Sequence, residues 1–174
     1  MRQTFRMAAF PSGAGIGAIA TVHLGRIGTS NGLRRPVLTP IAIGAVLVGI
    51  FWVGGLVVRQ VPFLDHQVRS VLDHANQGAW PLLVLVTAVN GIAEELFFRG
   101  AAYAAIPRNP VLVTTVAYTL ATLATGNVML AFAAVLLGVV VGLQRRASGG
   151  ILAPILTHVT WSVSMLFLLP ALFG

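Results

Sequence analysis

"VLTPIAIGAVLVGIFWVGGLVV", residues 37–58, carries no charged side chain, and about 20 such residues in helical geometry span the roughly 30 Å hydrocarbon core of a bilayer. The stretch reads as a transmembrane helix. Of the 174 residues, 57% are hydrophobic and 9% charged, outside the range of a soluble domain of this length. An integral membrane protein follows, so the backbone of each spanning element must satisfy its own polar groups, as helices do.

Working outward, residues 59–80 ("RQVPFLDHQVRSVLDHANQGAW") are the most polar part of the chain, with Val61, Leu64, Val68, Val71 and Leu72 at roughly helical spacing. An interfacial amphipathic helix is expected there. Residues 81–106 form a second strong helix that ends before Pro107, and the uncharged stretch 109–144 is broken by "TGN" at 125–127 into two short spans. Arg145, Arg146 and the turn "ASGG" precede a final span, 150–172, whose ionisable group is His158. Upstream, residues 7–25 are apolar but rich in glycine and interrupted by Pro11 and His23. They read as a signal-like start, a short span or a re-entrant segment; "AIA" at 18–20 resembles a cleavage site, but retention of the segment is expected.

The fold class expected is therefore all-α, a polytopic membrane helical bundle of five or six transmembrane helices plus an amphipathic or interfacial helix. Its expected division is residues 1–36, a weak apolar segment and basic loop, and 37–174, the helical core.

The net charge of +7 comes from eleven arginines, without lysine, against Asp65, Asp73, Glu94 and Glu95. In a soluble protein this would suggest nucleic acid; here the arginines flank apolar runs and set topology, so the partner expected is the lipid bilayer and no nucleic acid. If residues 7–25 do not cross, Arg2, Arg6, Arg26, Arg34, Arg35, Arg108, Arg145 and Arg146 share one face, with Arg59 and Arg69 opposite. That bias predicts five spans, a cytoplasmic amino terminus and an external carboxyl terminus, in what is expected to be a bacterial cytoplasmic membrane. Cysteine is absent, which excludes thiolate catalysis and zinc-thiolate sites.

Both glutamates of the chain lie side by side in "NGIAEELFFRG", residues 90–100, inside a spanning helix. A carboxylate at mid-membrane costs on the order of 2.5 to 3.5 kcal/mol, so the pair needs partners and marks a functional site. Glu95 and Arg99 stand four apart in the favourable order, while Glu94, about 100° around the helix, lines up with Asn90. Different roles are expected: Glu95 compensated by Arg99, Glu94 suited to proton transfer. In the final span His158 and Ser162 share a face flanked by Thr157 and Trp161, and Glu94, Asn90, His158 and Ser162 are expected to converge on a pocket between two helices. The bland alternative is a buried polar network that locks helix packing.

"EELFFRG" followed by "APILTHVTWS" resembles the CPBP family, the CAAX-protease and bacteriocin-processing group of intramembrane proteases, over roughly residues 32–170. The resemblance implies peptide-bond hydrolysis within the membrane. Carried over motif by motif, it makes Glu94 the base that activates water, with Glu95 and Arg99 supporting it and His158 as the oxyanion donor. The family's second motif, a phenylalanine with histidine four residues later, falls on Tyr118 and Thr122, and its final asparagine falls on Ser162. Thr122 is then expected to hold a water without sharing its proton. The resemblance admits a divalent metal such as zinc, which the missing histidine disfavours; no cofactor is otherwise expected. The function read from the sequence is an intramembrane endopeptidase acting on a membrane-associated peptide or protein. The alternative is a catalytically impaired scaffold, immunity factor or accessory subunit bound to a partner membrane protein.

Overall fold

A computed structural model describes residues 37–75 and 79–173. The segment 1–36, with the question of whether 7–25 cross, lies outside the described residues. The described chain is all helical: α1 Leu38–Val58, α2 Pro62–Ala75, α3 Trp80–Glu95, a π-helical segment Leu96–Ala102 that runs on into α4 Tyr103–Ala105, then α5 Pro110–Leu123, α6 Val128–Ser148 and α7 Leu152–Phe173. Among these residues four helices are long and apolar enough to cross a membrane, namely Leu38–Val58, Trp80–Ala105, Val128–Ser148 and Leu152–Phe173. The fifth expected span, α5, is apolar but has only 14 residues, about 21 Å at 1.5 Å per residue.

Local signals explain the boundaries. Pro110 opens α5, where its missing N–H would have no partner in any case, and Asn109 before it adopts a left-handed φ of 51°, which asparagine tolerates. The "TGN" break works through Asn127, whose side-chain oxygen caps α6 by accepting the Met129 and Leu130 N–H groups at 2.9 and 3.0 Å. Gly149, at φ 67°, ends α6 in the left-handed conformation that glycine adopts without strain.

Helix α7 is the centre, packing against α1, α3, α6 and α2, while α5 packs along α6. Large apolar side chains such as Leu38, Leu82, Leu112, Leu120 and Phe132 point outward, as a surface solvated by lipid allows. The interior is held by small residues and polar ties, the usual basis of helix association where lipid is as apolar as the side chains. At Gly142 an added Cβ would lie 3.0 Å from Val111 Cγ1, so α5 and α6 approach there without side-chain clearance. Thr157, fully buried, donates to the Pro40 carbonyl and accepts from Gln144 Nε2, each at 2.8 Å, and so joins α1, α6 and α7.

The ends of the bundle are also defined. At one end α2 lays Val68 and Leu72 on Phe173, the Asn127 amide donates to the Gln67 carbonyl at 2.7 Å, and Arg69 donates to the Phe173 carbonyl. At the other, Arg145 donates to the Arg99 carbonyl at 2.8 Å and lies over the Tyr103 ring. Arg59 and Arg69 therefore belong to one end and Arg145 and Arg146 to the other, the grouping the arginine pattern predicts.

Candidate active site

The chain brings both glutamates, Arg99 and His158 together between α3, its π-helical continuation and α7. Glu95 and Arg99 are fully buried. Arg99 Nη1 donates to Glu95 Oε1 at 3.0 Å, and Nη2 donates to the Gly138 carbonyl at 3.2 Å. That second bond requires a glycine, because a Cβ at position 138 would stand 3.2 Å from Nη2 and 2.9 Å from Thr115 Cγ2. The guanidinium also lies 4.9 Å from the Tyr118 ring centroid, within cation–π range.

The π-helical segment, which the sequence reading missed, has a definite consequence. The Tyr103 N–H reaches past position 99 to the Phe98 carbonyl, leaving the Arg99 carbonyl free to accept the Arg145 bond described above. A π turn thus ties the arginine's own backbone to α6.

His158 joins the two carboxylates. Its Nδ1 stands 2.7 Å from Glu95 Oε1 and its Nε2 faces Glu94 Oε2 at 3.7 Å. The ring lies against the α3 backbone, where a Cβ at position 91 would be 3.4 Å from His158 Cδ2. Glu95, paired with Arg99, can only accept, so Nδ1 carries a proton toward it. Glu94 is the accessible carboxylate, with 27% of its side chain exposed, and Asn90 Nδ2 donates to its Oε1 at 2.7 Å.

The hydroxyls of the other expected residues bond within their own helices. The Ser162 hydroxyl donates to the Val159 carbonyl of its own helix at 3.4 Å, and the Thr122 hydroxyl donates to the Tyr118 carbonyl at 2.9 Å. Tyr118 of α5 also packs against the site. It is buried, and its ring sits 6.3 Å from the His158 ring and 5.0 Å from Phe98. A usable signal was in the sequence, since a tyrosine in an otherwise uncharged span must find a partner for its hydroxyl.

Among the described residues no group of three or more His, Cys, Asp or Glu side chains is arranged to hold a metal ion. Glu94 and His158 offer two donors, while Glu95 contacts Arg99 and His158 through Oε1 and keeps its buried Oε2 without a hydrogen-bond partner. That set does not fit a catalytic zinc, which takes three protein ligands. A separate apolar cavity of about 210 Å³ lies between α1, α2, α6 and α7, with Trp161 in its wall.

A sequence family described as type II CAAX prenyl endopeptidase, Rce1-like, matches residues 76–164, which hold Glu94, Glu95, Arg99, Tyr118 and His158. No curated protein and no solved structure matches the chain.

Proposed function

Since the chain belongs to the Rce1-like family of type II CAAX prenyl endopeptidases, we propose that it hydrolyses a peptide bond of a membrane-associated substrate with a water activated by Glu94. The observation that carries the reading is the facing of Glu94 Oε2 and His158 Nε2 at 3.7 Å. This is too long for a direct hydrogen bond but suits a water about 2.8 Å from each. Glu94 takes a proton from that water as its oxygen attacks the scissile carbonyl. The same proton then passes to the leaving amine as the C–N bond breaks, which regenerates the carboxylate. Glu95 and Arg99 act through His158: the carboxylate fixes the tautomer and orientation of the ring, as the aspartate of a Ser-His-Asp triad does. The arginine bias supports a cytoplasmic location for the Arg145 end.

The family's description names prenylated CAAX sequences, so an internally quenched prenylated CAAX peptide is the first probe. In proteoliposomes the wild-type protein should cleave it, and Glu94→Gln should lower kcat by roughly 10²- to 10⁴-fold while accumulating normally in the membrane. No cleavage by the wild type, or equal rates for both proteins, would overturn the reading in favour of a scaffold or accessory subunit.

A further inference from the structure

On α7 the residues His158, Trp161, Met165, Leu169 and Phe173 follow one another at three- and four-residue spacing, which keeps the others within about 60° of His158 around the helix axis. Trp161, Met165, Leu169 and Phe173 all line the apolar cavity between α1, α2, α6 and α7. The cavity therefore continues the face of α7 that carries the site's histidine. Its near end is Trp161, whose ring stands 6.2 Å from the His158 ring and 5.0 Å from that of Phe51 on α1. From there to Phe173 the wall runs about 18 Å at 1.5 Å per residue, more than half of the roughly 30 Å hydrocarbon core.

The far end is closed. A Cβ at Gly55 would stand 2.5 Å from Leu172 Cδ2 and 3.5 Å from Phe173, so α1 and α7 meet there, and α2 lays Val68 on Phe173 across the same end. The side is open: Ile50 of α1 and Phe132 of α6 line the cavity and are exposed, on a surface that lipid covers. At about 210 Å³ and with almost wholly apolar walls, such a space takes hydrocarbon and not water; a cavity of about 150 Å³ lined by apolar side chains stays dry and binds benzene. Trp161 adds one polar requirement. Its indole N–H is buried without a hydrogen-bond partner, a donor that an occupant made only of hydrocarbon leaves unmet. A hydrocarbon chain with a peptide at its head answers both conditions.

We infer that this cavity seats the prenyl chain of the substrate, and that its closed end at Gly55 and Phe173 limits the chain length the protein accepts. The inference rests on the proteolytic reading above and adds to it a determinant of specificity. Order along α7 fits the direction of approach, since a peptide arriving from the Arg145 end meets His158 before Trp161 and its chain points on toward Phe173. Lipid is as apolar as the cavity, so the transfer of the chain itself contributes little. What the seat supplies is position, holding the scissile carbonyl beside Glu94.

Gly54 supplies the test. It lines the cavity next to the closed end, and a Cβ there meets nothing within 4 Å, so leucine at this position shortens the cavity without displacing a neighbour. Wild type and Gly54→Leu are compared in proteoliposomes on quenched CAAX peptides carrying a geranyl, farnesyl or geranylgeranyl chain. Gly54→Leu should lower kcat/KM for the longer chains relative to geranyl by about 10- to 10²-fold, the upper figure being the cost of a misplacement of about 1 Å. A second measurement does not depend on turnover: Glu94→Gln is irradiated with a farnesylated CAAX peptide bearing a diazirine at the far end of its chain, and the adducts are mapped by mass spectrometry. Adducts should fall on Val58, Val68, Leu169 and Phe173. An unchanged chain-length ratio in Gly54→Leu, or adducts confined to α3 and α5, would overturn the inference while cleavage by the wild type leaves the proteolytic reading standing. Should Gly54→Leu not accumulate, the adduct positions decide. A wild-type protein that cleaves none of the peptides would overturn both.

Discussion

Arg99 is a guanidinium with no exposed surface, held by the Glu95 carboxylate, the Gly138 carbonyl and the Tyr118 ring. Such a pair is costly to desolvate, and the energetic consequence of breaking it is asymmetric: removing one partner strands a buried charge. Arg99→Met should therefore destabilise the protein by about 3 to 5 kcal/mol, read from unfolding in detergent micelles. The double variant Glu95→Gln with Arg99→Met should recover a substantial part of that loss, because no uncompensated carboxylate remains. Equal stability of Arg99→Met and the wild type would show that Glu95 does not depend on the arginine. The same arrangement explains why adjacent glutamates hold different positions. Glu95 is turned into the helix packing and contacts His158, whereas Glu94 keeps part of its surface exposed.

The helix that carries both residues is not uniform, and its irregularity connects it to α6. Within Leu96–Ala102 the π-helical bonding leaves the Arg99 carbonyl for Arg145, so the site's arginine is tied to α6 through its side chain at Gly138 and through its backbone. Helix α2 is attached at the opposite end, largely through Asn127, which caps α6 and donates to the Gln67 carbonyl and to Ser70 Oγ. Replacing Asn127 by alanine should cost about 0.5 to 2 kcal/mol for the cap alone. Hydrogen exchange should also speed up across α2, residues 62–75, relative to α7. Unchanged exchange in α2 would mean that the apolar contact of Val68 and Leu72 with Phe173 suffices to hold it.

At the scale of the whole molecule the bundle has two distinct ends, one with α2, the 125–127 turn and Phe173, the other with Arg145 and the 106–109 connection. The absence of cysteine makes this directly testable, because each introduced cysteine is the only thiol in the chain. Asp73→Cys and Thr125→Cys should react with a membrane-impermeant maleimide from one side of a sealed vesicle, and Arg108→Cys and Ala147→Cys from the other. Labelling of Thr125→Cys and Arg108→Cys from the same side would mean that α5, at 14 residues, does not cross. A crossing by so short a helix requires local thinning of the bilayer or cover by α6, against which α5 packs.

The sequence by itself determined the membrane class, the boundaries of the helices and the identity of the charged residues that must find partners, because hydropathy, proline and turn residues act locally. It also paired Glu95 with Arg99 and Glu94 with Asn90, since both contacts lie within one helical turn. Only the tertiary structure decided that His158 bridges the two carboxylates, that the Tyr118 ring packs between Arg99 and His158, and that Gly138 receives Arg99. Each of these contacts joins residues from different helices, and their meeting depends on rotation and depth within the bundle. The π-helical register that frees the Arg99 carbonyl is likewise fixed by packing, since no local preference in "LFFRGAA" asks for an i→i+5 bond.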